Sequence, residues 1–206
     1  TEAIWTRYMP SRTMLNELVG TGVIGRPCML TANLGYRIRE KERLIRPELA
    51  GGALLDVGIY TLNFASMVFG MEIQKIDSSV SMTETGVDAQ ESITIHYEDG
   101  RVAVLNATMD GISDRRGVIY GDKGFIEVEN INNPQKLAVY DAEHRRVREI
   151  LCPEQVTGYE YEVISCLDAI EEGRIECPQM PHRDTVAMME QMDEIRAAWG
   201  LSYPCE

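Results

Sequence analysis

Positive charge is scarce in this sequence: 20 Lys and Arg residues stand against 33 Asp and Glu, for a formal net charge of -13. A chain of that sign repels phosphate backbones, so nucleic acid is not an expected partner. Its one basic run, Arg37, Arg39, Lys41, Arg43 and Arg46, is interleaved with Glu40, Glu42 and Glu48 and reads as a solvated connection. Long apolar runs are lacking too. No stretch approaches the roughly 18 uninterrupted apolar residues of a membrane helix. The opening Thr1-Glu2-Ala3-Ile4-Trp5 carries neither a basic segment nor a signal-like apolar run, so no membrane partner and a cytoplasmic location are expected.

Metal-ligand spacing is missing as well. The three histidines, His96, His144 and His182, are dispersed, and the five cysteines, Cys28, Cys152, Cys166, Cys177 and Cys205, form no Cys-x-x-Cys pair. That pattern points away from a disulfide framework and from a zinc site, and no metal is expected. Also absent is the regular alternation of strands and helices from which a nucleotide-binding half is built. The letters Gly-x-Gly-x-x-Gly do occur, from Gly20 to Gly25. In a dinucleotide site that pattern follows a strand and opens a helix, whose free amides meet the pyrophosphate. Here it follows a helical stripe and enters a strand-like run, so it reads as a glycine-rich turn.

Periodicity predicts helices over 11–19, 52–69, 157–173 and 184–199, and strands over 26–36, 72–83, 91–98, 101–109, 115–120, 124–129, 135–141 and 145–151. Ser11 is the expected cap of the first helix. Val163, Ile164, Leu167 and Ile170 align on one side of the third, and Met188, Met192, Ile195 and Trp199 recur at packing intervals on the last. The order gives an α+β fold: a large open, predominantly antiparallel sheet with helices on one face, in a single domain over 1–206, with no Rossmann domain. One strand has two apolar faces, with Ala103, Leu105 and Ala107 on one side and Val102, Val104 and Thr108 on the other. Helices cover one face, and a second copy of the chain is the expected cover for the other, as a homodimer through the sheet.

Chemistry concentrates in Leu49 to Tyr60. On a helical wheel Asp56, Tyr60 and Asn63 share a side, near a helix start whose small residues, Gly51 and Gly52 among them, let a ligand approach closely. Tyr60 is then either a packed aromatic, with Asp56 favouring the helix N-terminus, or a phenol that exchanges a proton with substrate. A phenol of ordinary pKa, about 10, needs a neighbouring cation to act as a base at neutral pH. No lysine lies near it on this helix.

The same residues carry a resemblance. Glu2-Ala3-Ile4-Trp5-Thr6-Arg7-Tyr8-Met9-Pro10, Gly51 to Tyr60, Gly121-Asp122-Lys123-Gly124-Phe125-Ile126, Gly158-Tyr159-Glu160-Tyr161-Glu162 and Met180-Pro181-His182-Arg183-Asp184-Thr185 occur in order. The chain resembles the C-terminal portion of the glucose-fructose oxidoreductase, inositol dehydrogenase and rhizopine-catabolism family, in its dihydrodiol and D-xylose dehydrogenase branch. Many inositol and sugar dehydrogenase relatives have histidine at the position of Tyr60.

The resemblance implies catalysis by Tyr60 and Asp56, substrate contacts from Trp5, Arg7 and Asn63, and cofactor approach at Gly51 and Gly52. Packing or a surface ion pair are the alternatives for Trp5 and Arg7. It further implies NAD or NADP held mainly by a separate Rossmann domain, a lysine contributed by that domain, and a polyol, sugar or trans-dihydrodiol substrate. A redox-inactive relative that binds or senses a polyol, and a purely structural dimer-forming domain, are the competing readings.

Overall fold

The computed structural model describes every residue of the chain except Cys205, which lies outside the described residues. Its elements in chain order are α1 (Pro10–Gly20), β1 (Pro27–Gly35), a π-turn (Leu54–Gly58) running into α2 (Ile59–Phe69), β2 (Ile73–Met82), β3 (Asp88–Tyr97), β4 (Val102–Thr108), β5 (Gly117–Gly121), β6 (Gly124–Val128), β7 (Lys136–Asp141), β8 (Arg146–Leu151), α3 (Glu160–Glu171) and α4 (His182–Trp199).

The eight strands form one sheet in the order β2-β3-β4-β1-β5-β6-β7-β8. β1 pairs parallel with β4, placing Leu30 beside Ala103 and Ala32 beside Leu105. On its other edge it pairs antiparallel with β5. All other neighbours are antiparallel, and the tight turns expected around Gly100 and between Gly121 and Gly124 join β3 to β4 and β5 to β6. The sheet is therefore open and predominantly antiparallel, and no βαβ unit of a nucleotide-binding half occurs among the described residues.

One face is covered. Leu30, Ala32, Ile93, Ile95, Ala103, Leu105 and Ile119 are essentially sealed beneath Leu54, Val57, Leu62, Ala65 and Phe69, with Met188, Met192 and Ile195 of α4 in the same core. Each large aliphatic side chain so buried contributes about 1.5–3 kcal/mol. The segment Pro47–Phe69 is long and apolar enough to cross a membrane by composition, yet most of it is buried inside this domain, as a core helix is.

The other face is uncovered. Ser79, Ser92, Asn106 and Asn33 lie in register across four strands, and Asn106 Nδ2 donates to Asn33 Oδ1 at 3.0 Å. Val102, Val104 and Thr108 are half-buried there, while Asn106 between them is exposed, so this face is mixed rather than apolar.

Three local expectations need correction. Ser11 does not cap α1: Met9 takes that position with no side-chain acceptor, Pro10 opens the helix, and Ser11 is buried in the first turn. β3 begins at Asp88 rather than 91, because the carboxyl groups of Asp88 and Glu91 face the core and break the apolar alternation. On α3 the packed face consists of Ser165 and Ala169, beside the Tyr8, Cys177 and Met180 cluster. Val163, Ile164, Leu167 and Ile170 are instead 51–73 % exposed. The Gly20 to Gly25 segment leads from α1 into β1, with Gly22 and Gly25 at φ +70° and +72° and the Asp122 carboxylate packed against Gly25.

Candidate functional site

The chain enters the informative segment through a tight backbone reversal. Ala50 is left-handed at φ 50° and Gly52 lies at φ 128°. The long helix then begins with a π-turn, in which the Ile59 amide donates to the Leu54 carbonyl five residues back. Such widened turns recur at functional sites. This one presents Asp56 and leads directly into Tyr60.

An ideal wheel groups Asp56, Tyr60 and Asn63, but the structure separates the last. Asp56 and Tyr60 are half-buried, whereas Asn63, one turn further along α2 and already at the edge of that grouping, is not exposed at all. It belongs to the face of α2 that packs into the interior. Asn63 is fully buried, donates through Nδ2 to the Ile59 carbonyl at 2.9 Å, and accepts the Arg7 Nε–H at 2.6 Å. Arg7, 3 % exposed, also donates to Ser66 Oγ at 2.8 Å and to Asp184 Oδ2 at 3.1 Å. Together Arg7 and Asn63 tie the N-terminal segment, α2 and α4 into one buried network behind the site.

Trp5 is buried in a different arrangement. Its ring stacks on Tyr159 with centroids 4.4 Å apart, and its indole N–H donates to Asn132 Oδ1 at 3.2 Å. Asn132 Nδ2 in turn donates to the Tyr36 hydroxyl at 2.9 Å, and the Arg115 guanidinium lies 5.6 Å above the Tyr36 ring. Gly158, at φ +94°, leaves room for Trp5, since a Cβ there would stand 2.8 Å from the indole. Glu160 accepts the amides of Val156, Thr157 and Gly158 at 2.7, 3.0 and 2.7 Å, organising the turn that carries Tyr159. The result is an aromatic wall near the Tyr60 phenol made of Tyr36 and Tyr159, with the buried Trp5 stacked behind Tyr159.

Electrostatics at Tyr60 run one way. Burial foremost, then Tyr159, Asp56, Tyr36 and Glu162, push its pKa up to about 12. No cation is among these influences, so the phenol keeps its proton at neutral pH. Asp56 is held by Arg43 at 2.6 Å. Arg43 is 55 % exposed, and a pair of that kind is worth about 0–1 kcal/mol, so its consequence is orientation rather than stability.

Gly51 and Gly52 are buried, and the space that their lack of side chains creates is filled by the protein itself. A Cβ on Gly51 would stand 2.7 Å from the Leu44 carbonyl oxygen, and one on Gly52 would meet the Asp88 carboxylate. The residues present thus do not form a dinucleotide cradle. Among the described residues no three His, Cys, Asp or Glu side chains converge as a metal would require. A separate concavity of about 490 Å³ lies on the uncovered sheet face, lined by Asn33, Ser79, Gln90, Ser92, Asn106 and Asp114 among others, away from Tyr60.

Several site residues escape a reading of local pattern. Tyr36 follows a strand and Tyr159 precedes a helix, each an unremarkable boundary aromatic in sequence, and Asn132 sits in a loop with no periodic signal. Only the folding of three distant segments onto one helix end brings them together.

The sequence pattern of the GFO/IDH/MocA C-terminal domain matches residues 13–127, more than half of the chain. Trans-1,2-dihydrobenzene-1,2-diol dehydrogenases of Xenopus tropicalis and Homo sapiens are 30% and 27% identical to it, each over 98% of this chain and 63% of their own length. Among solved structures, an aldose-aldose oxidoreductase from Caulobacter crescentus complexed with glycerol superimposes with a TM-score of 0.80 at 20% identity, covering 94% of this chain and 59% of that one. The 3-ketoreductase KijD10 from Actinomadura kijaniata, in complex with NADP and TDP-benzene, gives a TM-score of 0.83 at 16% identity, covering 94% and 60%. At these identities the structural likeness speaks for the fold. The chain spans under two thirds of the length of these relatives, and the part it spans is the sheet-and-helix domain described above. It belongs to the GFO/IDH/MocA family, whose C-terminal domain it comprises.

Proposed function

We propose that this chain is the substrate-side domain of an NAD(P)-dependent oxidoreductase acting on a polyol, sugar or trans-dihydrodiol, and that it is inactive without a separate nucleotide-binding domain. The observation that carries this reading is the Tyr60 phenol, half-buried at a π-turn within an aromatic wall, raised to about 12 and lacking any cation. A tyrosine so placed serves as a proton donor, and it becomes a usable base once a positive charge is brought beside it. The relatives' extra length provides a place for that charge and for the cofactor. Bound nicotinamide supplies or accepts the hydride.

Within the chain, Tyr60 exchanges the proton with the substrate oxygen. Asp56, steered by Arg43, orients a neighbouring hydroxyl. Tyr36 and Tyr159, the latter backed by the buried Trp5, give a sugar or dihydrodiol ring an apolar surface and exclude water. The stripe Val163, Ile164, Leu167 and Ile170 is a face on which a further domain would rest. The mixed open face of the sheet is the seat of a homodimer.

In the full-length protein, Tyr60→Phe is expected to lower kcat on trans-1,2-dihydrobenzene-1,2-diol at least about 100-fold while leaving cofactor affinity unchanged. Turnover within about two-fold of the parent would remove Tyr60 from proton transfer.

A further inference from the structure

Two carboxyl groups with no part in proton transfer lie beneath the site. Asp88 and Glu91, at the start of β3, are 0 % and 2 % exposed. Buried carboxyl groups ordinarily meet a cation or a set of donors. Here neither oxygen of Glu91 has a hydrogen-bond partner, nor does Oδ1 of Asp88. The remaining oxygen, Oδ2 of Asp88, accepts the amide of Leu54, the first residue of the π-turn, at 2.6 Å. Glu91 meets the other end of that turn: a Cβ at Gly58 would collide with its Oε1. Gly52, just before the turn, is open in the same way to the Asp88 carboxyl.

We propose that Asp88 and Glu91 are positioning residues, bracing the π-turn from the sheet at its two ends and thereby fixing how Asp56 and Tyr60 meet substrate. The inference rests on the reading of Tyr60 as the proton-transfer residue. A π-turn departs from the regular helical ladder and persists where its surroundings over-determine it. Asp88 stands where a helix leaves amides unsatisfied and favours a negative charge. Glu91 lies against the only side-chain-free residue at the far end of the turn. Burial, reinforced by the neighbouring Asp88, favours its neutral form, so it contributes shape without an unpaired charge.

The test uses full-length protein with NADP and trans-1,2-dihydrobenzene-1,2-diol, assayed well below the melting temperature. Amide hydrogen exchange over residues 53–60 provides a readout that needs no activity. Gly58→Ala forces a methyl group against Glu91 and is expected to lower kcat about ten-fold or more, with cofactor KM unchanged and faster exchange across the turn. Adding Glu91→Ala frees the space and should restore kcat to within about three-fold of Glu91→Ala alone. Asp88→Ala is expected to lower kcat and to speed exchange at Leu54. Should Gly58→Ala not fold, the near-isosteric Asp88→Asn supplies the same exchange comparison.

Variants that lower Tm yet keep parental kcat and parental exchange over the turn would overturn the proposal, as would a Glu91→Ala variant with parental kcat and parental exchange. Tyr60→Phe assayed alongside separates the two ideas. Parental turnover in that variant removes the proton-transfer role, while exchange across 53–60 still decides whether the acids brace the turn.

Discussion

Glu91 has a second consequence at the scale of a single residue. Burial, then the adjacent Asp88 carboxylate, hold its acid well above the ordinary 4.5, and burial raises Asp88 in the same direction. The folded protein therefore keeps a proton that the unfolded chain releases above about pH 4.5. Stability from this group is complete below that pH and is lost as pH rises toward the folded-state pKa. Glu91→Gln has no such proton to lose. Its Tm, measured against the parent from about pH 5 to about pH 8, should improve progressively relative to the parent. A difference independent of pH would mean that Glu91 is ionised in the folded state. Tyr60 illustrates the opposite limit of residue-level reading: its identity and its need for a cation are legible in sequence, whereas the partners that raise its pKa, Tyr36 and Tyr159, are not.

Between elements, the buried network around Arg7 does the joining. One guanidinium links Asn63 and Ser66 on α2 to Asp184 at the start of α4. Arg7→Ala leaves Asn63 without its donor and Asp184 without its partner. It should cost about 3 kcal/mol, moderated by the partial exposure of Asp184, and denaturant unfolding measures it directly. A loss below about 0.5 kcal/mol would contradict the network's role in stability.

Elements were legible where one periodicity governs a whole segment. The seven strands after α2 and the packing stripe of α4 follow from alternation and from three-to-four spacing, and the helix-to-strand context of Gly20 to Gly25 identifies it as a turn. The pattern failed where a tertiary contact replaced it. Two inward acids hid the start of β3, a π-turn altered the geometry before Tyr60, and an apolar stripe on α3 faces outward because Ser165 and Ala169 make the close contact. The two glycines ahead of the π-turn were visible, but the atoms that occupy the space beside them, the Leu44 carbonyl and the Asp88 carboxyl, come from elsewhere in the chain.

At the scale of the molecule, the homodimer proposed above places a second copy on the uncovered sheet face. Its row of serine and asparagine side chains and its half-buried valines suit a hydrogen-bonded, partly apolar interface. Sedimentation at micromolar concentration should show a dimer, and Asn106→Arg should shift it to monomer. A parent protein that is monomeric under those conditions would dispose of the sheet-face dimer.

The placement of β1 has a bearing on how the chain is made. β2 to β4 and β5 to β8 are two meanders, each paired between near neighbours in sequence, and β1 is the strand that joins them. During synthesis it emerges well before either of its partners. Until both meanders exist it remains an unpaired strand carrying Leu30, Ala32 and Leu34, the kind of segment that invites association with other chains. Closing the sheet then requires long-range contacts to both meanders, the slow kind of step in folding. The strand that unites the finished sheet is thus also the one that nascent chains must shelter longest.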